Sequence, residues 1–354
     1  HPTNLPSGNL IISAVNNAPT LDTAGVFTRA IGAGADQVRI IGSGASGNNS
    51  RPGFSAVGGD LILDFGGDGS GTGPALIWNS ADFDPEGSSS ANTGALLLNR
   101  TTADGVIYLL NAIDLNGSGE AGVFARRFEV NGSVAILGGE ISNSGTGFFD
   151  PVGILKRGGG ALVLAADNTF DGPTVISAGQ LVVGTNGTTG TLGRGAVTND
   201  ATLVFNRADE YTVTNHITGT GLLVQLGSGL TRLSSANAYE GLTVVSNGIL
   251  AITDPSALGV AANGTMVASG ATLQVEGGIT VTAEPLQLMG VGTVLGGNPQ
   301  GALRSVGGTN IWAAPIVVSN DADSALVSES GFLLISGDIA NQSTAGNLLL
   351  RGNA

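Results

Sequence analysis

The stretch KRGGGALVLAADNTFDGPTVISAGQLV, from Lys156 to Val182, returns without a gap as QLGSGLTRLSSANAYEGLTVVSNGILA, from Gln225 to Ala251. Gly158, Gly160, Leu164, Asn168, Gly172, Thr174, Val175, Ser177, Gly179 and Leu181 recur as Gly227, Gly229, Leu233, Asn237, Gly241, Thr243, Val244, Ser246, Gly248 and Leu250. Phe170 becomes Tyr239, and Ile176 becomes Val245. Downstream, Leu192-Gly193 reappears as Leu258-Gly259, and Ala201-Thr202-Leu203 as Ala271-Thr272-Leu273. Toward the end, Gly331 to Ile339 echoes Val134 to Ile141, and Gly346 to Asn353 echoes Gly160 to Asp167. Internal repetition of this kind is the signature of stacked architectures.

The recurring positions are short aliphatic runs, Leu162-Val163-Leu164, Thr174-Val175-Ile176-Ser177 and Gln180-Leu181-Val182-Val183, separated by Gly, Asn and Asp. Such runs read as strands, and the residues between them supply the positive φ of sharp corners. Asn-Gly steps at Asn116, Asn131, Asn186, Asn247 and Asn263 also suit hairpins, so an array of immunoglobulin-like sandwiches is the competing architecture. A sandwich closes one core once, whereas a unit that returns with unchanged interior residues can stack like on like. The expected fold is therefore all-β, a parallel β-solenoid. A repeat of about 69 residues divides into three rungs of about 23 residues. At ~4.8 Å per rung, the chain would make about fifteen rungs and an elongated rod on the order of 70 Å long.

Composition agrees. Of 354 residues, 59 are Gly, charged residues are only 11% and Lys156 is the one lysine, which disfavours helices. A 42% hydrophobic content excludes disorder, and Gly never falls into the every-third register of collagen. The net charge of −14 disfavours nucleic acid and anionic membrane surfaces. No apolar run reaches the length of a membrane span, and no cysteine is present. The chain opens on His1 rather than Met, which suggests a processed product or an excerpt. This Ser/Thr/Asn/Gly-rich balance suits a secreted bacterial protein.

The pattern Gly-x-Gly-x-Leu-x-Leu-x-x-x-Asn-x-Phe/Tyr-x-Gly-x-Thr-x-x-x-x-Gly-x-Leu resembles the passenger-associated, or autotransporter-associated, β-strand repeat; it runs from Gly158 to Leu181 and returns from Gly227 to Leu250. Asn206 to Val213, followed by His216 to Gly221, is similar to the segment that commonly precedes that unit, and Leu98 to Thr101 is a weaker echo. The resemblance covers roughly Ala135 to Ala354. It implies a right-handed parallel β-helix, secretion and display at a bacterial surface, as in adhesins and large structural surface proteins. No C-terminal membrane β-barrel follows in this sequence, so self-translocation is not expected.

Residues 1–134 are less regular. Polar stretches at 42–53, 66–73 and 82–93 separate their strands, and Gly25 to Arg29 and Gly122 to Arg126 form a diverged pair. We expect one continuous solenoid with loop insertions over 1–134 and regular repeats over 135–354, with a weak alternative boundary at Asp150-Pro151.

Candidate chemistry is sparse. The histidines are His1 and His216 alone, and without cysteine a nucleophilic triad has little to work with. A strand or turn role is expected for His216, and a cleaved end rather than a copper ligand for His1. Asp82, Asp84 and Glu86, and Asp321 with Asp323, are the densest acidic groups. Paired carboxylates serve glycoside chemistry, but these sit in turn-like sequence, where Asp caps backbone amides. The loop DFGGDGSGTG, Asp64 to Gly73, has the oxygen-rich look of a calcium loop without its spacing, so a plain Gly-rich loop is expected. Trp78 and Trp312 lie in apolar runs and are expected to fill the core rather than to form a sugar platform.

The resulting expectation is a non-enzymatic, extracellular structural or adhesive β-solenoid with no cofactor and no metal. The alternatives are a polysaccharide-acting β-helix enzyme, which needs a lateral cleft with converging carboxylates, and a carbohydrate-binding module, which needs exposed Trp. The expected partners are the chain itself, neighbouring surface proteins or polysaccharide, with no nucleic acid and no membrane insertion. Neither end reads as a polar cap, which leaves two alternatives: Asn9, Leu10, Ile11 and Ile12 pair with Leu348, Leu349 and Leu350 of a second copy in a head-to-tail filament, or the chain is cut from a longer solenoid.

Overall fold

The computed structural model describes residues 7–14, 17–42, 50–87, 94–116, 125–144, 151–260, 263–318, 323–342 and 346–352. His1, Gly122, Val123, Phe124, Asp150, Asp321 and Ala322 lie outside them, as do parts of the polar stretches 42–53 and 82–93. The described residues contain no helix. By compactness the chain forms two units, one of residues 1–183 and 189–196, the other of residues 184–188 and 197–354.

In the first unit, parallel ladders run side by side. One stacks Thr20–Phe27 on Gly53–Leu63, then Leu96–Leu98, Ala125–Glu129, Gly153–Arg157 and Thr174–Ile176. A second carries the end of Gly53–Leu63 on Ile107–Leu109, then Val134–Leu137, Ala161–Leu164 and the start of Gln180–Gly187. Leu76–Ile77, Ile113–Asp114 and Ile141–Ser142 make a third, and Leu10–Ala14, Val38–Gly42 and Phe83–Asp84 a fourth. The alternation inside each strand sets its inner face: Ala135 and Leu137 are buried while Val134 and Ile136 are half-buried. The wider early rungs are filled by aromatic rings. Phe27, Phe54 and Phe65 meet edge to face at 5.4–5.8 Å, and Trp78 packs edge-on against Phe83 and Phe128 at 5.5 and 5.2 Å.

The second unit repeats the arrangement more tightly. Thr202–Arg207, Leu222–Gln225, Thr243–Val245, Thr265–Val267, Leu286–Leu288, Ile316–Val318 and Ile339–Asn341 form one parallel ladder. Glu210–Val213, Leu230–Leu233, Ile249–Ile252, Thr272–Glu276, Leu303–Trp312, Ser324–Ile335 and Leu348–Gly352 form another. A short third joins Val197–Asn199, Ile217–Gly219 and Ala238–Tyr239. The hairpin Val294–Leu295 with Asn298–Pro299 pairs antiparallel. Parallel ladders between successive turns of chain define a β-solenoid and exclude the sandwich.

Where the repeat is best formed, the rung is shorter than the expected third of a repeat. Val197 pairs with Ile217, Thr202 with Leu222 and Leu230 with Ile249. Tight corners such as Asp200-Ala201, lying between the strands Val197–Asn199 and Thr202–Arg207, make this possible. The repeated stretch is thus one rung plus the start of the next. In the first copy Ile154 pairs with Thr174 and Ala161 with Gln180; in the second Leu223 pairs with Thr243 and Leu230 with Ile249. Elsewhere the rung lengthens: Leu61 pairs with Ile107 in the first unit, and in the second Leu273 pairs with Leu303, where the hairpin is inserted.

The motif glycines mark tight corners. Gly179 and Gly248 have φ of +70° and +63°, and a Cβ there would sit 2.4 Å from Gly158 O and 2.3 Å from Gly227 O, the turn of the rung below. Gly193, of the recurring Leu-Gly step, lies against the buried Phe170 ring, where a Cβ would come within 2.3 Å.

Candidate functional site

Inside each repeat, one polar side chain holds successive rungs together and a second ties down a glycine corner. Asn168 accepts the Ile141 N–H at 2.8 Å and donates to Thr191 O at 2.6 Å; its repeat partner Asn237 accepts the Ile217 N–H at 2.8 Å and donates to Ala257 O at 2.7 Å. Each bridges the rung before to the rung after. The other position holds Lys156 in one copy and Gln225 in the next, both fully buried. Lys156 Nζ donates to the carbonyls of Arg157, Gly158 and Ala178 at 2.7, 2.6 and 3.1 Å, and Gln225 Nε2 donates to Gly227 O at 2.9 Å. Either donor reaches the carbonyls of a glycine corner, Gly158 O in one copy and Gly227 O in the next.

The lysine does this at the cost of burying a charge, whereas Gln225 is neutral but leaves its Oε1 buried without a partner. Burial lowers the Lys156 pKa to about 8, against a smaller opposing pull from Glu129. The unfolded chain then binds the extra proton between pH 8 and the ordinary lysine range near 10.5, so this group's contribution to stability rises with pH across that window. Lys156→Gln should therefore raise stability at pH 7 by about 1–2 kcal/mol, and the gain should vanish near pH 10.5. Urea midpoints of both proteins at several pH values measure it; a pH-independent difference would contradict the assignment.

Charged side chains form ladders of their own. Glu86 and Arg126 are 2% and 3% exposed, with Arg126 Nη1 3.3 Å from Glu86 Oε2. Glu86 Oε1 also accepts the Arg127 N–H at 2.7 Å. Burial pushes the Glu86 carboxyl upward against the pull of Arg126 and Arg127. Glu129 bridges Arg51 at 2.7 Å and Arg157 at 2.8 Å and accepts from Asn131 at 2.9 Å. Burial alone would raise the Glu129 pKa, but Arg157, Asn131 and Arg51 outweigh it and hold it low. In the second unit, Arg232 pairs with Glu210 and, through two nitrogens at 3.1 Å, with Glu276; Arg304 pairs with Glu329.

These pairings account for the acidic groups singled out in the sequence. Asp82 binds Arg39 Nε at 2.7 Å, Asp84 accepts the Gly87 N–H at 3.2 Å, and Glu86 turns inward to Arg126. Asp323 accepts the backbone and side-chain N–H of Asn347, both at 2.9 Å. His216 is exposed, with Nδ1 2.6 Å from Ala236 O. In the Asp64 to Gly73 loop, Asp64 is fully buried and accepts N–H bonds from Asp68, Gly69, Gly71 and Gly73 at 2.8–3.1 Å. Burial opposes its ionisation, yet these donors outweigh it and lower its pKa. Amide hydrogens point where a cation would need oxygens, so the loop is folded around its own carboxylate. Among the described residues, no group of three His, Asp or Glu is placed to hold a metal ion. Trp78 and Trp312 are fully buried and form no sugar platform.

Leu10–Ala14 and Leu348–Gly352 each pair with one neighbouring strand, Val38–Gly42 and Ser324–Ile335 respectively. Asn9 Nδ2 is spent on Gly32 O and Gly34 O at 2.9 Å, Ile12 is buried, and Ile11 and Leu350 are exposed at 55% and 74%. Leu10, Leu348 and Leu349 are half-buried. Leu348 and Leu350 line an open apolar groove with Leu326, Leu333, Ile335 and Ile339.

The described residues thus form a stack of rungs whose inward polar atoms serve stacking, the mark of a β-solenoid. Residues 154–183 and 223–252 match the family model of the passenger-associated-transport-repeat. An 85-residue stretch, 24% of the chain, is 41% identical to the adhesin BmaC autotransporter of Brucella suis biovar 1 (strain 1330), and the chain spans about 2% of that protein's length. No solved structure matches the chain. The resemblance read from Gly158 to Leu181 and Gly227 to Leu250 is borne out on those stretches.

Proposed function

We propose that this chain is a non-enzymatic solenoid with a structural or adhesive task. Its setting is extracellular or the bacterial cell surface, in keeping with the repeat family and the autotransporter relative. The observation that carries the reading is the pair of matched repeats, in which motif Asn and Gly residues serve rung stacking. The described carboxylates of the densest acidic cluster, Asp82 to Glu86, are each tied to an arginine or a turn amide, which favours a scaffold over acid–base chemistry. Beads coated with the purified protein should adhere to host cells or matrix more than beads coated with an unrelated solenoid. Equal retention on every surface tried would overturn the adhesive part.

The finer reading is head-to-tail association, Leu10–Ala14 of one copy pairing with Leu348–Gly352 of another. That each of these strands pairs with one other among the described strands, and that Ile11 and Leu350 are exposed, supports it. Ile11→Lys or Leu349→Lys should then convert fibres to monomers with the β spectrum intact. A wild-type protein that stays monomeric at high concentration by sedimentation overturns this reading.

A further inference from the structure

Just before the strand Leu286–Leu288, the chain turns a carboxyl into the core of the second unit. Glu284 is 5% exposed. Its Oε1 accepts a hydrogen bond from Thr265 Oγ1 at 2.7 Å, while the Thr265 N–H donates to Pro285 O at 2.8 Å. Thr265 thus holds the Glu284-Pro285 step with both of its donors. The register stacks Thr243 on Thr265 and Thr265 on Leu286. Tyr239, fully buried on the rung below, places its hydroxyl 2.7 Å from Thr243 Oγ1.

The titratable neighbour of Glu284 is Tyr239, whose hydroxyl is driven above the usual phenol range by burial and by the Glu284 charge, against the Thr243 hydrogen bond. It stays neutral. Among the described residues, no arginine, lysine or histidine acts on Glu284, in contrast to Glu86 and Glu129. An ionised carboxylate in this place would be buried with a single hydroxyl donor, an arrangement that is strongly unfavourable.

We infer that Glu284 is a proton-operated latch between Thr265–Val267 and Leu286–Leu288, closed while its carboxyl is protonated and loosened when it ionises to solvent. Burial pushes this carboxyl to about 7, with the Thr265 bond only partly opposing it. Because the folded value lies above the ordinary 4.5, the latch holds fully below about pH 4.5 and weakens as pH rises toward 7. On the outer side of the same strands, Met266, Pro285, Gln287 and Val317 line a shallow groove, so loosening would reshape an accessible surface. This inference stands apart from the adhesive reading.

Hydrogen exchange of the full chain, resolved by peptide and corrected for the intrinsic pH dependence of exchange, tests it. Between about pH 5 and pH 8, the opening constants of peptides spanning 263–268 and 284–288 should rise roughly a hundredfold in the wild type. They should stay flat in Glu284→Gln, which keeps the shape and cannot ionise. Equal pH responses in the two proteins, or a flat wild type, would overturn the latch. If the variant fails to fold, the wild type alone decides. Its response must be confined to these rungs and absent from Ala161–Leu164, and a uniform response across both regions overturns it.

Discussion

Arg126→Met should destabilise the protein by about 3–5 kcal/mol, the range for removing one partner of a buried ion pair. The guanidinium does three jobs at once. It faces the Glu86 carboxylate at 3.3 Å, and it donates to Leu115 O and Asn116 O, both at 3.1 Å. Methionine fills much of the volume and satisfies none of these acceptors, leaving Glu86 buried with Arg127 as its nearest cation, 3.5 Å away. The double variant Glu86→Gln/Arg126→Met should recover part of the loss, since the uncompensated charge is gone. Trp78 packs 5.2 Å from Phe128 in the same rung stack, so its fluorescence in a Trp312→Phe background reports urea unfolding of this unit. A loss under about 1 kcal/mol would mean that water reaches the pair and screens it.

Leu164→Ala and Leu233→Ala should each cost about 2–5 kcal/mol, the usual range for a core leucine, and the two costs should be alike. Both side chains are fully buried at equivalent positions of the repeat. Leu164 stacks between Leu137 and Val183, and Leu233 between Val213 and Ile252, so each truncation opens a similar cavity in a column of aliphatic neighbours. Stacked rungs relax poorly along the column, because strand pairing fixes the spacing at about 4.8 Å. Val260→Ala, at a position 45% exposed, serves as the control and should change stability by less than ~0.5 kcal/mol. Surface-like losses at both leucines would refute the register.

Much of the rung was legible because its parts act locally and recur. Glycine at 179 and 248, asparagine at 168 and 237, and leucine at 164 and 233 each answer one geometric demand, made again in the next copy. The rung length was not, since the repeat divides evenly into threes on paper while the real turns, Val197 to Ile217 and Leu230 to Ile249, close sooner. Nor were the partners of the charged residues. Glu86 finds Arg126 40 positions away, and Arg232 finds Glu276 after 44, distances fixed by how much chain each turn spends on its loops. The Asp64 to Gly73 loop carried the composition of a cation site. The missing information was direction: its amides point inward at the carboxylate, and composition does not encode that. Glu284 left no trace either, because an acid beside a proline reads as an ordinary surface turn.

The sole lysine of the chain is sealed against its own corner carbonyls. The folded protein therefore shows solvent no ε-amino group, and the basic side chains that reach its surface are arginines and histidine. Acylating dyes, aldehyde fixatives and lysine-cutting proteases find no lysine target on the intact solenoid. The same reagents reach Lys156 only in molecules whose rung has come apart at that corner. A material assembled from this chain would keep its side chains untouched through amine chemistry that cross-links most of its neighbours, and the fraction of lysine that reacts would count its breaks.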